Sequence, residues 1–127
     1  MLSTKQKSTL IALGVFFWLA FAIAIKYTPI LFNQSTTHAT LFVASIPVVW
    51  LLVSLLCRLA KLAPHQILTG ICIAVGAASL CDGLALTWRS SLYGDNDLHV
   101  RLGAAYILWG VGLFLTVALI RTKAESD

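Results

Sequence analysis

Residues 66–88 read Gln-Ile-Leu-Thr-Gly-Ile-Cys-Ile-Ala-Val-Gly-Ala-Ala-Ser-Leu-Cys-Asp-Gly-Leu-Ala-Leu-Thr-Trp, and the reading of this stretch decides the fold. It is apolar over the roughly 17–25 residues a helix needs to cross the hydrocarbon of a bilayer. Three more blocks of that kind flank it. They are residues 9–25, ended by Lys26; residues 39–57, ended by Arg58; and residues 102–120, closed by Arg121. Of the 127 residues, 59% are hydrophobic and 11% charged, whereas an ordinary soluble domain carries about a quarter charged residues. Lipid offers backbone groups no outside partners, so blocks of this length become helices. The expectation is an all-α, polytopic membrane protein, one membrane domain with four transmembrane helices in an antiparallel bundle. The helices are placed at about 8–26, 39–58, 66–88 and 101–121.

The net charge of +4 comes from single and paired basic residues at block ends, with no basic run or stripe. That distribution argues against nucleic acid as a partner. With the N-terminus inside, Lys5, Lys7, Arg58, Lys61, Arg121 and Lys123 lie on the inner side. Lys26, Arg89 and Arg101 lie outside, with Asp95 and Asp97 nearby. Six against three is a positive-inside bias, which puts both termini in the cytoplasm. A competing reading of the first block is a signal peptide. Lys5 and Lys7 precede it and Ala22-Ile23-Ala24 resembles a cleavage site, but the apolar run is longer than a usual signal core.

The connections are short. Residues 27–38 contain Pro29 and a polar run, and residues 58–65 end in Pro64-His65, which makes the second and third spans a helical hairpin. Residues 89–100 hold Tyr93-Gly94-Asp95-Asn96-Asp97, a strong turn composition, with Trp88 and Tyr93 suited to an aromatic belt. Pro47 falls inside the second span and predicts a kink near residues 43–47, with Ser45 available to satisfy the freed carbonyl. Cys57, Cys72 and Cys81 form no C-x-x-C pair and read as small packing residues.

Within the third span, Cys72, Gly76, Ser79 and Gly83 share a sector of about 60° at 100° per residue. Small stripes let helices approach closely, and Gly103, Tyr106 and Gly110 share a face of the fourth span. Close packing of the third helix on the fourth is therefore expected, the same stripe being equally fit for a dimer.

Asp82 is the sole acidic side chain in the four apolar blocks. Intramembrane carboxylates are costly and mark functional sites by default. Counting helical rise puts Asp82 about 9 Å below the outer interface, level with Tyr106 and Ser45. These three form a candidate polar layer, in which a tyrosine hydroxyl donating to the carboxylate lowers the cost of burial. Lys26 and Arg89 are candidate charge partners, able to reach in from the outer side. Asp82 then serves either as a structural hub or as a titrating site.

His38, His65 and His99 all lie at block ends, unsuited to a haem between helices. A metal held by Asp97, His99 and His38 is chemically conceivable, but solvated turn residues are the simpler reading. No catalytic constellation, phosphate loop or cofactor motif stands in the sequence, so no cofactor, no metal and no enzyme activity are expected.

The stretch Cys81-Asp82-Gly83-Leu84-Ala85-Leu86-Thr87-Trp88, then Ser91-Leu92-Tyr93 and Leu108-Trp109-Gly110-Val111-Gly112, resembles a bacterial family of small four-helix integral membrane proteins of unassigned function. The resemblance, carried mainly by the second half, implies an inner-membrane location and no particular activity. The small multidrug transporters are also four-helix proteins, but their essential carboxylate stands in the first span, where this chain has none. The functional expectation is a non-enzymatic accessory or structural membrane component, within the bilayer as a homodimer or part of a larger complex. The alternative is a proton-coupled small-molecule transporter acting as a dimer through Asp82.

Overall fold

The computed structural model describes residues 1–28 and 35–127. Four long helices account for most of them: α1 (Thr4–Lys26), α2 (Ser35–Leu59), α3 (Ile67–Trp88) and α4 (Asp97–Ser126). Each has the length and apolar content to cross a membrane, and the protein is an all-α, multi-pass bundle. Leu51, Leu80, Leu84 and Leu108 stand well exposed on its outer surface. In a soluble protein that would be a liability; in lipid it is the expected lining of a span.

The helix ends have local causes. Ser3 and Gln6 form a reciprocal capping box at the start of α1, with Gln6 N donating to Ser3 Oγ at 3.1 Å and Ser3 N to Gln6 Oε1 at 2.9 Å. These bonds satisfy donors that a helix start leaves without partners. Gln6 Nε2 then reaches the carbonyl of Lys61, 3.0 Å away. Gln66 reaches back to the carbonyl of Met1, also at 3.0 Å. The beginning of α1 is thus tied to the connection between α2 and α3. α4 starts earlier than the expected residue 101, because Asn96 caps it through His99 N at 2.8 Å and Asp97 suits the positive end of the helix dipole.

Pro47 lies within α2. The Ser45 hydroxyl donates to the Phe42 carbonyl at 2.6 Å, and the Trp109 indole of α4 donates to the same carbonyl at 3.1 Å. The Ser45 hydroxyl therefore goes to the carbonyl one residue before Val43, the one whose helical donor Pro47 lacks, and the expected repair of the freed carbonyl is not the bond it makes.

The tightest pair in the bundle is α1 with α3, which run parallel. A Cβ at Gly14 would stand 2.3 Å from the Ala74 carbonyl oxygen, and one at Gly70 would stand 2.6 Å from Leu62 and 3.3 Å from Leu10. The small residues that matter are therefore Gly14, Gly70 and Ala74. The expected stripe does not carry the packing: a Cβ at Gly76, Gly83 or Gly110 would meet nothing within 4 Å, and Cys72 is exposed. The reason lies in the face of the helix. Gly70, Ala74, Ala78 and Asp82 recur at every fourth residue, the spacing that aligns side chains on one face, and this face turns inward. α4 does pack on α3, and on α2, without using the stripe. Gly103 of α4 instead meets Ile25 of α1, at 2.7 Å from a would-be Cβ.

Two apolar clusters hold the ends of the bundle. Val53, Leu56, Ile67, Ile71, Val117 and Ala118 build one around α2, α3 and α4. Ala22, Ile25, Ala85 and Tyr93 build the other. α2 thus meets α3 through the first cluster, at the end where Pro64 joins them as the expected hairpin, and between the clusters it touches α1 and α3 only sparsely.

Candidate functional site: the intramembrane carboxylate

Asp82 sits on the inward face of α3, two turns before the helix ends at Trp88. Beyond Trp88, Arg89 leaves the helical conformation and residues Ser90–Leu92 form a single 3₁₀ turn. That turn swings the chain back over the bundle and delivers Tyr93 into it, fully buried at 0% exposure. The Tyr93 hydroxyl donates to Asp82 Oδ1 at 2.5 Å, and Trp18 Nε1 of α1 donates to the same hydroxyl oxygen at 2.9 Å. An indole, a phenol and a carboxylate thus form a chain of hydrogen bonds from α1 through the loop to α3. Such a chain satisfies polar atoms that would otherwise be costly in an apolar wall. Burial, and then the carboxylate it donates to, raise the Tyr93 phenol well above its ordinary pKa, so the donor keeps its proton throughout the physiological range.

The segment after Tyr93 locks the arrangement from the other side. Gly94 packs on the His99 ring so closely that a Cβ there would stand 2.3 Å from Cδ2. His99, 1% exposed, donates from Nε2 to the Ile25 carbonyl at the end of α1, 2.7 Å away. That carbonyl belongs to the last turn of a helix, where carbonyls lack partners within the helix. The reading of His99 as a solvated turn residue is therefore overturned: it is a buried bolt between α4 and α1. Among the described residues, no three His, Cys, Asp or Glu side chains come together as a metal site would need.

Ser45 and Tyr106, placed level with Asp82 by depth counting, line the same cavity as Asp82. Among the described residues, no hydrogen bond joins either of them to Asp82. Ser45 Oγ accepts from the Trp109 indole at 3.0 Å while donating to Phe42. The Tyr106 ring packs edge-on against Phe42 with centroids 5.7 Å apart. The carboxylate does take a tyrosine hydroxyl, but from Tyr93 rather than Tyr106, because the loop brings Tyr93 back onto α3.

Among the described residues neither Lys26 nor Arg89 forms an ion pair with Asp82; the ion pair seen is Arg121 with Glu125 at 3.0 Å. Arg89 is exposed. Drawing a guanidinium or ammonium into the apolar wall would strip a second charge of water, whereas a phenol reaches the carboxylate at far smaller desolvation cost. His38 is half-buried near the start of α2, away from any such cluster.

The two residues that sequence reasoning missed are Trp18 and Tyr93. Trp18 carried a signal, since an indole N–H within a span needs an acceptor. Tyr93 carried none beyond its aromatic ring, because its burial depends on the path of the loop. As a chemical unit the site is one carboxylate with a fixed hydroxyl donor beside an apolar cavity, able to hold a proton or a cation. No family model, characterised protein or solved structure matches the chain.

Proposed function

We propose that this chain is a non-enzymatic accessory or structural component of a bacterial inner membrane, with both termini cytoplasmic. The observation that supports this most is the hydrogen-bonded chain Trp18–Tyr93–Asp82. Its carboxylate is engaged in joining α1, α3 and the outer loop, which is the work of a structural hub. The outward face of α3, open at Gly76 and Gly83, leaves room for a helix of a second copy or of a larger membrane complex. The short motifs around Asp82 and Trp109, which resemble those of small four-helix inner-membrane proteins, favour the same location. Extraction of the tagged chain in mild detergent, followed by identification of what accompanies it, tests the reading. Recovery with a defined larger complex is the expected result; recovery of the chain with itself alone removes the accessory role.

One observation favours a second reading, a dimeric proton-coupled transporter acting through Asp82: the carboxylate borders a cavity lined from all four helices. Under that reading Asp82→Asn abolishes proton-coupled flux in a protein that remains folded and inserted. Under the hub reading the same change lowers thermal stability or membrane accumulation.

A further inference from the structure

The four helices do not close on one another midway along the bundle. Because α2 stands off from α1 and α3, a cavity of about 110 Å³ remains, bordered by side chains of every helix. Its walls are apolar apart from Asp82, Ser45 and Tyr106. Ser45 is engaged with Phe42 and Trp109. Asp82 takes the Tyr93 hydroxyl at Oδ1. No lysine, arginine or histidine lines the space. A carboxylate thus borders an apolar cavity that, among the described residues, contains no counter-charge, an arrangement that a cation from outside would complete.

The geometry points to this cavity as a binding site for a small lipophilic cation, an aromatic or alkyl amine or quaternary ammonium. Its charge lies at Asp82 and its apolar body lies among the rings of Phe17, Trp18 and Phe21, which line the α1 wall. The chemistry is complementary on both counts. The carboxylate supplies the opposite charge in a medium of low dielectric, and aromatic faces attract cations through their quadrupole. An acyl chain from the surrounding lipid would fill the apolar part but would gain nothing from the carboxylate. Binding of this kind is independent of whether the chain also moves its ligand, so binding without flux removes the transporter reading and leaves the site standing.

The test uses the purified full-length chain in detergent micelles, titrated with benzyltrimethylammonium and with its uncharged isostere neopentylbenzene. Tryptophan fluorescence, to which Trp18 in the cavity wall contributes, serves as reporter. Two variants accompany it: Asp82→Asn, and Ala78→Phe, which fills the cavity from α3 without altering Asp82 or Tyr93. The expected result is saturable binding of the cation, at least tenfold tighter than the isostere, weakened at least tenfold by Asp82→Asn and lost in Ala78→Phe. Should Asp82→Asn fail to fold, the comparison of cation with isostere on the unaltered chain decides by itself. Equal affinity for the two probes, binding indifferent to Asp82→Asn, or no saturable binding overturns the proposal.

Discussion

Tyr93 is the residue on which the end of the bundle between α3 and α4 turns. Its hydroxyl serves two partners at once, accepting from Trp18 and donating to Asp82. Tyr93→Phe leaves the carboxylate without its donor, and a polar group stripped of its partner costs about 1–3 kcal/mol. That loss is to be read from denaturant or thermal unfolding in micelles. Trp18→Phe removes one neutral bond and is expected to cost less, about 0.5–1.5 kcal/mol. The raised phenol pKa carries a sign. Its stabilising contribution is fully present below the ordinary phenol value of about 10 and is lost as the pH rises through the raised value. Melting temperature followed from pH 8 upward therefore falls more steeply in the unaltered protein than in Tyr93→Phe. A parallel decline in the two proteins would place the alkaline loss elsewhere. At this scale Asp82 was legible, as one acid in an apolar chain, and its need for a hydroxyl was legible too. Which tyrosine answers was not, because Tyr106 and Tyr93 differ only in where the chain carries them.

At the scale of elements, the four spans and their ends followed from block length, terminal charges and turn residues. The choice of helix face did not. α3 carries two small-residue stripes at helical spacing, and only Gly70-Ala74-Ala78 lies on the packed side. Sequence periodicity weighs both stripes alike; contact with Gly14 of α1 distinguishes them. Gly14→Ala drives a methyl into the Ala74 backbone and is expected to destabilise by about 1–3 kcal/mol, the usual cost of overpacking. Gly76→Ala and Gly83→Ala have open space and should fall within about 0.5 kcal/mol of the unaltered protein, as surface changes do. Unfolding measurements on the three variants check this ordering. If α3 joins a second membrane helix across its open face, Gly83→Leu lowers self-association or complex recovery while leaving unfolding of the isolated chain unchanged, as sedimentation in detergent would show.

For the whole molecule, topology and the carboxylate are the quantities to measure. Alkaline phosphatase fusions are expected to be active at residue 34 and inactive at residue 62 and the C-terminus. Activity at either of the latter sites would reverse the proposed orientation. Asp82→Asn retains an acceptor for Tyr93 but exchanges a charge-assisted bond for a neutral one, a loss of about 1 kcal/mol. If that change leaves stability nearly intact but removes proton-coupled flux, transport displaces the structural reading.

Composition and the spacing of apolar blocks determined by themselves that this chain spans a membrane four times, because burial of backbone and side chains in lipid depends on local properties that each segment carries alone. They also singled out Asp82, since the cost of a charge in hydrocarbon is a property of the residue. Only the tertiary structure decided that α1 lies on α3, that His99 bolts α4 to Ile25, and that Tyr93 rather than Lys26 or Arg89 meets the carboxylate. Those outcomes depend on which faces meet and where a loop returns, and pairwise contacts between distant segments are not written in the periodicity of any one of them.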